Sequence, residues 1–398
     1  MKRSWLLICL INFLIAALMG LLLRLVHIYP VSINYQYVIH AHSHTAMLGW
    51  AYMLIFCLVV KQFVPKDKVS QYRTLFWLTQ LTVIGMMISF PLQGYGLFSI
   101  TFSTLHIFCS YYFAYKVRKN VEKNSALSYY LLQASLLFMV VSTLGAWSLG
   151  AAGATGGKNT PLYYSSLQFF LHFQFNGWFI FAVLALFFKH LENRAIHVNV
   201  KWFRIFYASL ILSAILTMAL PLSWYYPHTL LQIINTLGIG IQLVAFGSLA
   251  GILWPSRKVL FSSASGSRLL LILPLFSLFL KMGIQAVTAF PCVAIASHTV
   301  RNFTIGFTHL AMLGIITGFL FFFIKPEKNK YFNIGIAFFY AGFICTEVLL
   351  FIQGLSIFLS YPPLPAYFSL LFFASTLLPA GLLLIIAAFA KKQKVAAL

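Results

Sequence analysis

Charge is scarce in this sequence, and negative charge is nearly missing: Asp and Glu together number 5 among 398 residues, and charged residues of both signs make up 8%. A soluble domain carries roughly 25% charged residues, so an ordinary water-soluble fold is excluded. Cysteine motifs are lacking too. Cys9, Cys57, Cys109, Cys292 and Cys345 are scattered, with no Cys-x-x-Cys and no Cys-x-x-Cys-His, so neither a dithiol motif nor covalent c-type haem is signalled. Also missing is a small-residue cleavage site after the first apolar run. That run, from Ser4 to about Val26, is longer than a signal-peptide core and reads as an uncleaved first helix.

What is present is apolar. Hydrophobic residues make up 61% of the chain, with a mean hydropathy of +0.90. The net charge of +22 does not point to nucleic acid, because the basic residues recur in short runs between apolar stretches of membrane-crossing length. Twelve such stretches are expected, at about 4–26, 37–60, 74–93, 97–116, 128–150, 163–188, 202–222, 229–254, 268–290, 302–324, 331–356 and 366–390. The third and fourth are divided by a tight turn near Pro91–Gly96. The fold expected is an all-α polytopic membrane protein, a single transmembrane domain over 1–398 with the lipid bilayer as its partner. By the positive-inside rule the even alternation of basic loops puts both termini in the cytoplasm. Of the 27 Lys and Arg, 23 fall on that side; Arg24, Lys158 and Arg301 fall outside, and Lys281 lies within the ninth span. The membrane expected is the bacterial cytoplasmic one.

Histidine is the informative residue. The second span carries His40, His42 and His44, the fourth His106, the sixth His172 and the tenth His309. His44, His106, His172 and His309 lie roughly 10–15 Å below the outer ends of their spans, counted at the helical rise per residue. Imidazole in hydrocarbon is costly, so such residues face the bundle interior and have partners. Three of them sit in a repeat: His44-Thr-Ala-Met-Leu-Gly49, His309-Leu-Ala-Met-Leu-Gly314 and the looser His172-Phe-Gln-Phe-Asn-Gly177. The shared His-x4-Gly recurs every fourth span, which implies three similar four-helix arcs around a pseudo-threefold axis. The glycine admits a neighbouring helix or a flat cofactor close to the backbone. Histidines at one depth read as metal or haem ligands, as a hydrogen-bonded polar belt, or as proton relays of a transporter.

The segment Asn302-Phe-Thr-Ile-Gly-Phe307-Thr-His309-Leu-Ala-Met-Leu-Gly314 resembles the helix-ten signature of cbb-type oxidases, in the haem-copper oxidase superfamily of oxygen and nitric oxide reductases. The helix count and the three arcs extend that likeness over nearly the whole chain. The resemblance implies a bis-histidine haem b held by His309 and, through the repeat, His44, and places His172 where the family has a copper ligand. It also implies losses. Phe307 replaces the family's high-spin haem ligand, the seventh span lacks histidine, and no tyrosine partner accompanies His172, so the usual binuclear centre is not expected. His40-Ala-His42 is similar to the His-x-His segment of NnrS-type haem and copper membrane proteins.

The remaining polar residues follow from membrane chemistry. Arg301 and His298, at the outer mouth of the tenth span, are candidates for haem propionates or, in Arg301's case, for lipid headgroups. His40 lies one turn from His44 and is a candidate supporting or alternative ligand, and His42 points to the opposite side. Glu347 and Lys281, the carboxylate and the amine well inside spans, are expected to be structurally paired or hydrated. The function expected is a redox or gas-sensing haem b protein, with oxygen or nitric oxide as the small gas and a separate redox partner. The alternatives are an oxidoreductase reducing a small gas at a copper-containing site rebuilt from His172 with His106 or with His40 and His42, and a proton-linked transporter without a cofactor.

Overall fold

The computed structural model describes residues 2–122, 126–261 and 265–390, without the side chains of 265–267. Among the basic residues assigned to the cytoplasmic side, Lys123, Lys391, Lys392 and Lys394 lie outside the described residues. There are 12 helices long and apolar enough to cross a membrane among the described residues. They are α1 (Arg3–Leu25), α2 (Tyr35–Phe63), α3 (Lys66–Gln93), α4 (Leu97–Asn120), α5 (Leu127–Thr155), α6 (Pro161–Asn193), α7 (Val200–Ser223), α8 (Thr229–Leu253), α9 (Arg268–Ala289), α10 (Arg301–Ile324), α11 (Lys330–Phe358) and α12 (Tyr367–Ala390). A bilayer core leaves no water for backbone N–H and C=O groups, and a helix satisfies them within the segment, so an all-α polytopic membrane protein is the form these apolar runs take.

Helix starts follow from local chemistry. Asn34, Thr160, Asn199 and Asn329 each accept a backbone N–H of the following turn, from Tyr37, Tyr163, Lys201 and Phe332, which satisfies donors that no earlier carbonyl can reach. Pro161 stands just inside the start of α6, where its missing N–H costs nothing. Between α3 and α4 the chain turns at Gly94, whose φ of +59° is strained for any residue with a Cβ.

The chain forms two compact units, Met1–Glu122 with Leu320–Leu398, and Lys123–Phe319. The first unit holds α1–α4, α11, α12 and the far end of α10. Its core centres on Trp50, which is stacked on Phe13 at 4.4 Å and tilted against Phe321 at 5.8 Å. Asn12 of α1 donates to the Gly49 carbonyl of α2 at 2.9 Å and pairs with Gln80 of α3 through two bonds. The second unit holds α5–α9 and most of α10, with Phe138 of α5 stacked on Phe173 of α6. Its single carboxylate, Glu192, accepts from both the N–H and the hydroxyl of Ser128 and sits 3.8 Å from Lys189.

Three of the spanning helices change pitch midway. α2 widens to a π-helix over Thr45–Tyr52, α6 over Phe173–Phe179 and α10 over Leu310–Ile316. Elsewhere the spans are α-helical, apart from 3-10 turns at one end of α3 and of α9 and a turn at Thr217 and Met218 that interrupts α7.

Candidate cofactor-binding histidines

The three wide turns begin immediately after His44, His172 and His309, so the sequence repeat is also a conformational repeat. In each case histidine closes the α-helical part and the motif glycine lies inside the π segment. Single wide turns of this kind are rare and concentrate at functional sites, because the extra residue re-aims the side chains flanking it. The glycines have a second task. A Cβ on Gly49 would come within 2.9 Å of Val83, and one on Gly177 within 2.6 Å of the Phe138 Cβ. At both positions the close approach is made by a neighbouring helix.

His44 is half-buried, and its Nδ1 is 2.9 Å from the carbonyl of His40, one turn earlier. A carbonyl only accepts, so the neutral ring carries its proton on Nδ1 and presents the Nε2 lone pair. A backbone carbonyl behind Nδ1 is the usual way a ligating imidazole is held and made more basic. Phe90, at 4.3 Å between ring centroids, and Tyr95, at 6.1 Å, flank the ring. His40 shares the same two neighbours, with Tyr95 at 4.6 Å. His42 turns the other way: its Nδ1 donates to the Ala16 carbonyl at 2.8 Å, and a Cβ on Gly20 would lie 2.8 Å from its ring. It locks α1 against α2.

His172 is committed at both ends. Its Nε2–H donates to the carbonyl of Ala214 in α7 at 2.8 Å, and its Nδ1 accepts from the Asn176 amide at 3.3 Å. As arranged, it is an interhelical clamp whose one ring lone pair, on Nδ1, is taken by Asn176. His106 differs. It is 2% exposed, Nδ1 has a long contact of 3.4 Å with Ser110, and Nε2 is buried without a partner. The edge of Tyr52, at the end of the first wide turn, packs 4.7 Å from its ring.

His309 is half-buried, and the Phe307 ring two residues earlier lies under the Lys281 ammonium at 5.0 Å. Lys281, fully buried, donates to Gln285 at 3.0 Å. Glu347, buried in the other unit, has the Arg24 guanidinium as its charge neighbour. Lys281 thus has a hydrogen-bonded partner within its own unit. Arg301 is exposed. His298, also exposed, shares a hydrogen bond of 3.1 Å between its Nε2 and the Tyr225 hydroxyl, beside Trp224; partial burial lowers its pKa below the ordinary histidine value.

Among the described residues, no three His, Cys, Asp or Glu side chains gather into a group able to hold a metal ion. No protein-family model matches the chain, and no curated protein is detectably similar to it. The haem-copper oxidase resemblance therefore rests on the residues quoted above. Sequence reasoning passed over Asn12, Gln80 and Asn176. Asn12 and Gln80 were visible as uncharged polar residues in otherwise apolar spans, a pattern that calls for a partner on a facing helix.

Proposed function

We propose that this chain is a membrane haem b protein on a haem-copper-oxidase-like scaffold, in which His44 and His309 would hold the haem, serving redox or gas-sensing chemistry in a bacterial cytoplasmic membrane. The observation that carries the reading is the His44 ring, with its proton fixed on Nδ1 by the His40 carbonyl and its Nε2 lone pair presented at the start of a wide turn. The same turn follows His309. A haem b held there would supply a one-electron Fe(III)/Fe(II) couple. The residues of the chain hold, orient and insulate. His40 contributes its carbonyl, Phe90 and Tyr95 wall the His44 ring, and Phe307, unable to ligate iron, is engaged with Lys281.

Protein purified from a haem-sufficient host is expected to show a red-shifted Soret band and sharp α and β bands on reduction. His309→Ala and His44→Ala are each expected to abolish them. Colourless wild-type protein overturns the proposal and favours a cofactor-free transporter. A second reading, reduction of oxygen or nitric oxide at an additional metal, draws on His106, whose buried Nε2 has no partner. Copper or non-haem iron stoichiometric with protein, and lost in His106→Ala, is the result that reading requires.

A further inference from the structure

An apolar groove of about 360 Å3 opens between the end of α8 and the start of α9, lined by Ala250, Trp254, Ile272, Phe276 and Phe279, with Arg257 on its rim. Trp254 is 66% exposed and Phe276 61% exposed. Trp254 stands just past the end of α8, where a spanning helix meets the membrane interface, a level at which Trp is favoured, and Phe276 lies about two turns inside α9. The rim is built: the Arg257 guanidinium lies over the Trp254 ring at 4.2 Å and donates to the Trp254 carbonyl at 2.7 Å. That fixes its plane and leaves the other N–H groups of the fork for an oxyanion, a geometry that suits phosphate.

Charge decides what the groove takes. Arg257, Lys258 and Arg268 are exposed at this end of the two helices, and no Asp or Glu occurs between Glu192 and Glu327. The one carboxylate of this unit, Glu192, is engaged by Ser128 and Lys189. Within this unit no other carboxylate is left to neutralise this basic end. We propose that the groove is a binding site for one anionic phospholipid, its acyl chain against Ile272, Phe276 and Phe279 and its phosphate on Arg257. Basic pockets between spanning helices select anionic headgroups in this way. The site is independent of the haem reading and stands or falls separately from it.

Native mass spectrometry of the delipidated full-length protein, titrated with phosphatidylglycerol and in parallel with phosphatidylethanolamine, tests the proposal. The first equivalent of phosphatidylglycerol is expected to bind about fivefold or more tighter than phosphatidylethanolamine. Arg257→Gln is expected to remove about fivefold of that preference, the effect of one basic residue at a membrane surface. Ala250→Trp, which fills the groove without changing charge, is expected to eliminate the tight equivalent. Equal binding of the two lipids, or a preference indifferent to Arg257→Gln, overturns the site. So does a dimer that Ala250→Trp dissociates, since a second copy of the chain then occupies the groove. If Ala250→Trp fails to fold, the Arg257→Gln titration decides alone.

Discussion

At the scale of single residues, the histidines divide by what lies behind each ring. His44 leans on the carbonyl of His40 and not on the His40 side chain. His40→Ala keeps that carbonyl, so the reduced haem spectrum is expected to survive this substitution and to vanish in His44→Ala; optical titration of both variants checks it. A spectrum lost in His40→Ala makes His40 the ligand. His172, with both nitrogens bonded, makes a contact that residue type does not foretell: its helix was legible, but the acceptor is a main-chain carbonyl with no sequence signature. His298 gives a pH dependence. Its pKa in the folded protein lies below 6.5 because burial disfavours the charged form. As pH falls through 6.5 the unfolded chain takes up a proton first, so stability is present above that value and is lost as pH drops toward the lowered pKa. Thermal melting from pH 7.5 to 5.5 is expected to fall less steeply in His298→Gln than in wild type.

At the scale of elements, every one of the expected spans is present, with α4 at Leu97–Asn120 against an expected 97–116 and α6 at Pro161–Asn193 against 163–188. The ends run longer because capping residues and interfacial turns prolong a helix beyond its apolar core, where hydropathy has no signal. The wide turns were not legible. Apolar residues of the same kinds fill α and π segments alike, and the extra residue per turn leaves no compositional trace. What the sequence carried was their position, as the histidine and glycine that frame them. Gly177→Ala forces a Cβ to within 2.6 Å of the Phe138 Cβ, an atom too close to its own backbone to swing aside. Overpacking of this sort costs about 1–3 kcal/mol. Gly150→Ala, with nothing within 4 Å, is expected to be neutral or to gain up to about 1 kcal/mol of helix propensity. In one detergent the melting temperature is expected to fall in Gly177→Ala and to hold or rise slightly in Gly150→Ala.

At the scale of the whole molecule, the scarcity of charge and the spacing of apolar runs were enough to fix the class of fold, because the bilayer permits so few backbone arrangements. The relation among the three histidine repeats was legible only as a period. For orientation, the positive-inside rule gives an expectation that can be tested. With Lys66, Lys68 and Arg73 on one side and Lys158 on the other, a C-terminal fluorescent-protein fusion is expected to glow, and alkaline phosphatase inserted beside Lys158 is expected to be active. The reverse pattern inverts the topology.

The wide turns also bear on descent. A π segment stands directly after a histidine in α2, α6 and α10, which is where one codon inserted before a stretch of gene was copied would leave it. Under that history the contacts behind the rings, the His40 carbonyl in one copy and the Ala214 carbonyl in another, would have diverged afterwards. Homologous chains are then expected to keep the extra residue in all three spans; an aligned set in which it comes and goes span by span would instead mean three separate insertions.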